Sequence, residues 1–127
     1  MLNRNAIVTI LAVGAFGCAA MNAGADDAVS EKMTCAAIRK VLDASQLDTI
    51  RAAEIFIGIE RIYDQMDRAN VTKGRPAIFA RMNSSGKQNT VAMATARCDD
   101  YPGETMRKSA VTVYKGLEAV GRALGVN

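Results

Sequence analysis

The chain has no histidine and no tryptophan, and only two prolines and three cysteines among its 127 residues. Each shortage excludes something. Without His there is no side chain whose ordinary titration lies between pH 5 and 8. The usual general base for a serine or cysteine nucleophile is missing as well. Three cysteines, none close to another, do not supply the three or four clustered ligands of a zinc site. Gly86-Lys87 is followed by Gln88 and lacks the upstream glycine of a phosphate-binding loop. No apolar run reaches the ~20 residues of a membrane-spanning helix. Acid pairs occur at Asp99-Asp100, Glu60/Asp64 and Asp64/Asp67. Paired carboxylates can do acid–base work, but on helices they read as solvated surface. No enzymatic activity and no cofactor are expected.

What is present begins with an export signal. Arg4 supplies a positive start, Ala6 to Ala15 a short apolar stretch, and Ala23-Gly24-Ala25 a small-residue cleavage site before Asp26-Asp27. Residues 1–25 are therefore read as a signal peptide and 26–127 as one domain, with a periplasmic location. Ala15-Phe16-Gly17-Cys18 offers an alternative. It resembles a bacterial lipobox in which Cys18 is acylated, although Phe16 fits that box poorly. Either route removes Cys18 from the folded domain and leaves Cys35 and Cys98. An exported domain folds where thiols oxidise, so this pair reads as one structural disulfide, the alternative being two free or intermolecular thiols.

Residues 26–127 carry 15 bases and 13 acids, a net charge of +2, which is too balanced to imply a nucleic-acid partner. The distribution is uneven. Residues 26–67 hold nine acids and five bases, whereas 68–98 hold six bases and no acid. A partner or a second copy can read such an asymmetry; the plainer reading is a solvated basic loop region.

The apolar spacing is helical almost throughout, which predicts an all-α fold of four or five helices. Cys35, Ile38, Val41 and Leu42 mark one face of a short first helix. Ser45-Gln46-Leu47-Asp48 is a capping box opening a longer helix to about Ala69. That helix carries two adjoining stripes: Leu47, Ile50, Ala53 and Ile57, and Ile55, Ile59, Ile62 and Met66. Around Ile55 to Ile59 it is apolar on nearly all sides, as a central buried helix is. Residues 70–75 read as a loop, and Pro76 opens a short helical segment to about Met82. Asn83 to Asn89 is the strongest loop signal in the chain, followed by a helix capped by Thr90. Pro102 breaks that helix and begins the last one, with Glu104 near its positive end. Met106, Ala110, Val113, Leu117, Val120 and Leu124 form its stripe, predicted to pack on the second helix, and Gly125 is a suitable terminator.

Three segments together are similar to the HdeA/HdeB acid-stress chaperone family. They are Met33-Thr34-Cys35 opening a short helix, an apolar helix carrying Ala53 and Ile57-Gly58-Ile59, and Cys98 followed closely by Pro102 and another helix. The resemblance implies a small periplasmic protein with one disulfide, Cys35 to Cys98. Members of that family are dimers at neutral pH. In strong acid they come apart, partly unfold and hold denatured proteins through exposed apolar surface, without ATP. For this chain it implies a homodimer and unfolded periplasmic proteins as clients; Ile55, Phe56, Ile59 and Ile62 are the client face expected to be exposed once acid loosens the helices. The chain departs from the family in a longer inter-cysteine segment, fewer aromatics and a longer last helix.

Ile57-Gly58-Ile59 with Asp64, then a helix, Pro102 and a long Ala-containing helix also resemble small periplasmic immunity proteins, which bind and inhibit cell-wall amidases. That family has cysteine just before its glycine motif, where this chain has Ile55 and Phe56. A third reading, an envelope lipoprotein, rests on Cys18. An acid trigger would have to lie in the 13 carboxylates. If these are paired in the fold, they bind protons less readily there than in the unfolded chain. The stability they add is then present above the ordinary carboxylate range and lost as pH falls, beginning below about pH 5.

Overall fold

The computed structural model describes residues 29–44 and 49–125. Residues 1–25, read as a signal peptide, with Cys18 among them, and Ser45–Asp48, read as a capping box, lie outside them. Within them the protein is all-α: α1 (Cys35–Asp43), α2 (Thr49–Thr72), α3 (Ser84–Asp100) and α4 (Met106–Ala123). Cys35 and Cys98 form a disulfide between α1 and α3, with their Cα atoms 4.8 Å apart.

Helix starts explain much of the layout. Thr34, Asn83 and Thr105 each adopt extended backbone and accept an N–H from three residues on, which satisfies one of the donors every helix N-terminus leaves open. The starts of α1 and α4 complete each other. Cys35 and Ala36 donate to the carbonyls of Glu104 and Pro102, at 2.7 and 3.0 Å. Met106 and Arg107 donate to those of Met33 and Glu31, at 2.8 and 2.9 Å. Pro102 therefore does not begin the last helix. It sits in the preceding turn with its carbonyl used by α1, and Thr105 is the cap.

Two other boundaries differ from the sequence reading. Asn83 to Asn89 is not a loop: Asn83 caps α3, and the polar run that follows is its exposed first turns. Thr90 lies inside the helix, buried, with its hydroxyl returned to the Gly86 carbonyl at 2.8 Å. Conversely, residues 76–82 form turns rather than a helical segment. The N–H groups of Ile78, Phe79 and Ala80 are turned away from helical partners onto one side chain, Asp67.

The core is contributed by every element: Cys35, Ile38 and Val41 from α1, Ile55, Ile59, Ile62 and Tyr63 from α2, Val91, Ala94 and Cys98 from α3, and Met106, Ala110 and Tyr114 from α4, with Phe79 from the connection. α2 and α4 run side by side in the same direction. Gly58 permits their close approach, since a Cβ there would sit 3.1 Å from the Met106 sulfur. The Ile55, Ile59, Ile62 stripe is buried as expected. The Ile50, Ala53, Ile57 stripe is exposed, with Ile50 at 73% and Ile57 at 50%. α2 is therefore not buried all round, because the other three helices cover only one of its sides.

The stripe on α4 is likewise cut short. Met106 and Ala110 are buried and Val113 packs against the core, but Val120 and Leu124 are exposed at 56% and 72%. The buried face turns instead through Ser109, Tyr114 and Gly121, because the helix outruns the elements beside it. Leu117 is half-buried. Leu117→Ala is accordingly expected to cost about 1 kcal/mol in denaturant unfolding, not the 2–5 of a fully buried Leu. A loss above about 2 kcal/mol would show that Leu117 is enclosed. Gly125 ends the helix in the left-handed region at φ 72°, where a side chain would be strained.

Candidate functional site

The most structured polar feature lies where α2 ends and the chain crosses to α3. Asp67 falls four residues after Tyr63 and Asn70 three after Asp67, so both continue the buried side of α2 and are 5% and 6% exposed. Placing a carboxylate there demands partners, and the connection supplies them. One Asp67 oxygen accepts the N–H groups of Ile78 and Phe79, at 2.7 and 3.1 Å, and the other accepts that of Ala80 at 2.7 Å. The Tyr114 hydroxyl donates to the first of these oxygens. Asn70 donates to the Tyr114 hydroxyl at 3.0 Å, to Glu118 at 2.9 Å and to the Pro76 carbonyl at 3.4 Å.

The segment held this way covers an aromatic cluster. Phe79, 3% exposed, stacks at a tilt on Tyr63 with ring centres 5.0 Å apart, and Tyr63 lies 6.2 Å from Tyr114. The Lys87 ammonium sits 5.4 Å from the Phe79 ring centre. The Tyr63 hydroxyl donates to the Thr90 carbonyl at 2.7 Å and ties α2 to α3. Residues 76–80 thus act as a strap with Phe79 as its plug and Asp67 as its fastening.

Burial pushes both buried tyrosines well above the ordinary phenol range, and for Tyr114 its hydrogen bond to Asp67 adds to burial. The sign follows from linkage. A folded-state pKa above the unfolded one means stability is fully present below pH ~10 and lost as pH rises through the folded value. In an alkaline titration the tyrosinate absorbance of Tyr63 and Tyr114 is therefore expected to appear only together with loss of helical circular dichroism. Ionisation of all three tyrosines with the helices intact would contradict the burial of these two.

The opposite end of the bundle is closed by ion pairs and the disulfide. Arg97 makes a two-pronged contact with Glu104 at 3.0 and 2.9 Å and covers the Tyr101 ring at 4.1 Å. The Glu104 hydrogen bond raises the Arg97 pKa further. Arg107 pairs with Glu31 at 2.8 Å, and Arg39 pairs with Asp99.

The residues expected at the client face are split by the fold. Ile55, Ile59 and Ile62 are at most 2% exposed, whereas Phe56 is 42% exposed. No surface of the native protein presents the four together. Sequence reasoning missed Asp67, Asn70, Tyr114 and Glu118. The available signal was that Asp67 and Asn70 interrupt an apolar register with polar side chains. Among the described residues no cluster of His, Cys, Asp or Glu could hold a metal ion, and no helix is long and apolar enough to cross a membrane. Comparison with family models, curated proteins and solved structures finds no match for the chain.

Proposed function

We propose that this protein is an exported, periplasmic holdase that acid activates without ATP, binding denatured proteins through apolar surface that its native fold covers. The observation that carries the reading is Asp67. One carboxylate collects four donors and holds the strap over Tyr63, Phe79 and Tyr114. Were this carboxylate to take up a proton, it would gain an O–H donor where only acceptors are wanted. One side of the carboxyl would then meet the strap N–H groups with an O–H, and an unsatisfied buried donor costs about 1–3 kcal/mol. The ion pairs of Glu104, Glu31 and Asp99 with Arg97, Arg107 and Arg39 likewise need a charged carboxylate. Full protonation of the 13 carboxylates would take the side-chain charge of residues 26–127 from +2 to +15, adding repulsion. The disulfide does not titrate and keeps α1 and α3 joined. Release of the strap and loosening of α2 would free Phe79, then Ile55, Ile59 and Ile62, beside the already exposed Phe56.

The test is light scattering of a model client at pH 2–3 and at pH 7, with the oxidised protein. Protection in acid and none at neutral pH is the expected result. No protection in acid, with native size and no apolar-dye binding, would reject the holdase and favour a binder of one specific partner, such as an inhibitor of a cell-wall amidase.

A further inference from the structure

The fold sorts the arginines into two populations. Those near the starts of α1 and α4, Arg39, Arg97 and Arg107, each hold a carboxylate. Around the connection from α2 to α3 the situation is reversed. Arg68 and Lys73 at the end of α2, Arg75 and Arg81 in the connection, and Arg122 at the end of α4 are all exposed. None of these five side chains forms an ion pair or hydrogen bond with another described residue. Three carboxylates stand beside them, Asp64, Asp67 and Glu118, so the five cations are in excess. Asp67 is buried and saturated by four donors. Glu118 accepts from Asn70. α2 and α4 run in parallel and α3 returns, so all five cations collect at one end of the bundle.

Two open clefts flank the strap there. One, of about 400 Å³, has Arg75 and Arg122 among its walls beside Pro76 and Ile78, with one carboxylate, Glu118. The other, of about 560 Å³, has Val71, Ala77 and Ala80 along it, with Arg68 beside Asp64 and the saturated Asp67. Val71 is 59% exposed. Cations without partners among the described residues meet an external anion with no described pair to break. The apolar lining adds a requirement that a bare polyanion does not meet. Nor is there a stacking surface for bases, because the aromatic ring of this region, Phe79, is buried.

We propose that this end of the bundle docks an acidic protein segment. Its carboxylates pair with Arg68, Lys73, Arg75, Arg81 and Arg122, and a small apolar side chain rests on Val71, Ala77 and Ala80. The association belongs to neutral pH, where the partner's carboxylates are charged, so it does not depend on the holdase reading.

The experiment uses the oxidised chain at pH 7 and fluorescence anisotropy with three probes: a short labelled peptide of alternating Glu and Val, its Gln-for-Glu counterpart, and single-stranded oligothymidylate. The Glu peptide is expected to bind, the Gln peptide not, and salt to weaken the complex. Arg75→Glu/Arg122→Glu should weaken binding at least tenfold, about the worth of two surface ion pairs. Lys40→Glu/Lys108→Glu, which makes the same charge change at exposed positions elsewhere, should leave it within a factor of about two. Circular dichroism checks that both variants fold, and Arg75→Gln/Arg122→Gln is the milder substitute. Equal weakening by both charge reversals, tighter binding of oligothymidylate, or no binding of the Glu peptide would each overturn the proposal. So would sedimentation showing the chain already self-associated through this end, with Arg75→Glu/Arg122→Glu dissociating it.

Discussion

Reduction of the Cys35–Cys98 disulfide should lower the melting temperature by on the order of 20 °C. The bond closes a loop with a sequence separation of 63. On the loop-entropy account such a cross-link restricts the unfolded chain by about 4 kcal/mol. A domain of this size holds only about 5–15 kcal/mol in all. The structure adds a reason to expect the full effect. α1 has nine residues, fewer than a helix needs to persist alone, and it contributes only Cys35, Ile38 and Val41 to the buried core. Without the bond, what holds α1 is this small patch, the reciprocal caps with the start of α4 and the exposed Arg39–Asp99 pair. The check is thermal circular dichroism of the native protein, with and without reductant, and of Cys35→Ser/Cys98→Ser. Hydrogen exchange should show the amides of α1 opening first in the variant. A shift under about 5 °C would mean the cross-link is redundant with packing.

The second large effect is expected at Asp67. In Asp67→Asn one oxygen remains to accept, while an NH₂ group faces N–H donors it cannot satisfy. The strap has donors on both carboxylate oxygens, so no orientation of the amide serves them all. We expect a loss of about 2–4 kcal/mol at pH 7. Tyr114→Phe removes one donor and orphans no backbone group, so its cost should be nearer 1 kcal/mol. The functional consequence separates a structural tie from an acid trigger. If the strap is what acid releases, Asp67→Asn at pH 7 should bind an apolar dye as the parent does only at low pH, with the disulfide intact. Denaturant unfolding and dye fluorescence at both pH values read the two effects. An Asp67→Asn protein as stable as its parent and dark to the dye at pH 7 would remove Asp67 from the mechanism.

How far the sequence reached is clearest residue by residue. Local spacing and composition alone determine that the chain is helical and that Cys35, Ile38 and Val41 share a face. These depend on period, which is written along the chain. Which of the two stripes of α2 is buried, and that Cys35 and Cys98 pair rather than stay apart, the tertiary structure decided. The same spacing did not decide which end of the α4 stripe is buried, because periodicity marks a face and not the length of the neighbour that covers it. Hence Val120 and Leu124 match Met106 and Ala110 in register yet lie in solvent. It also did not decide that Ser84 to Asn89 is helical. That run carries loop residues, and it is organised by the Asn83 cap and by Thr90, Val91, Ala94 and Cys98 packing farther along the same helix. The strap was least legible of all. Asp67 is spelled like a surface acid near Asp64. Only tertiary structure brings to it three backbone N–H groups from 11 to 13 residues away and a hydroxyl from 47 residues away. The reason is physical: burial of a charge is decided by whether distant donors arrive to meet it, and no local pattern in the sequence encodes that arrival.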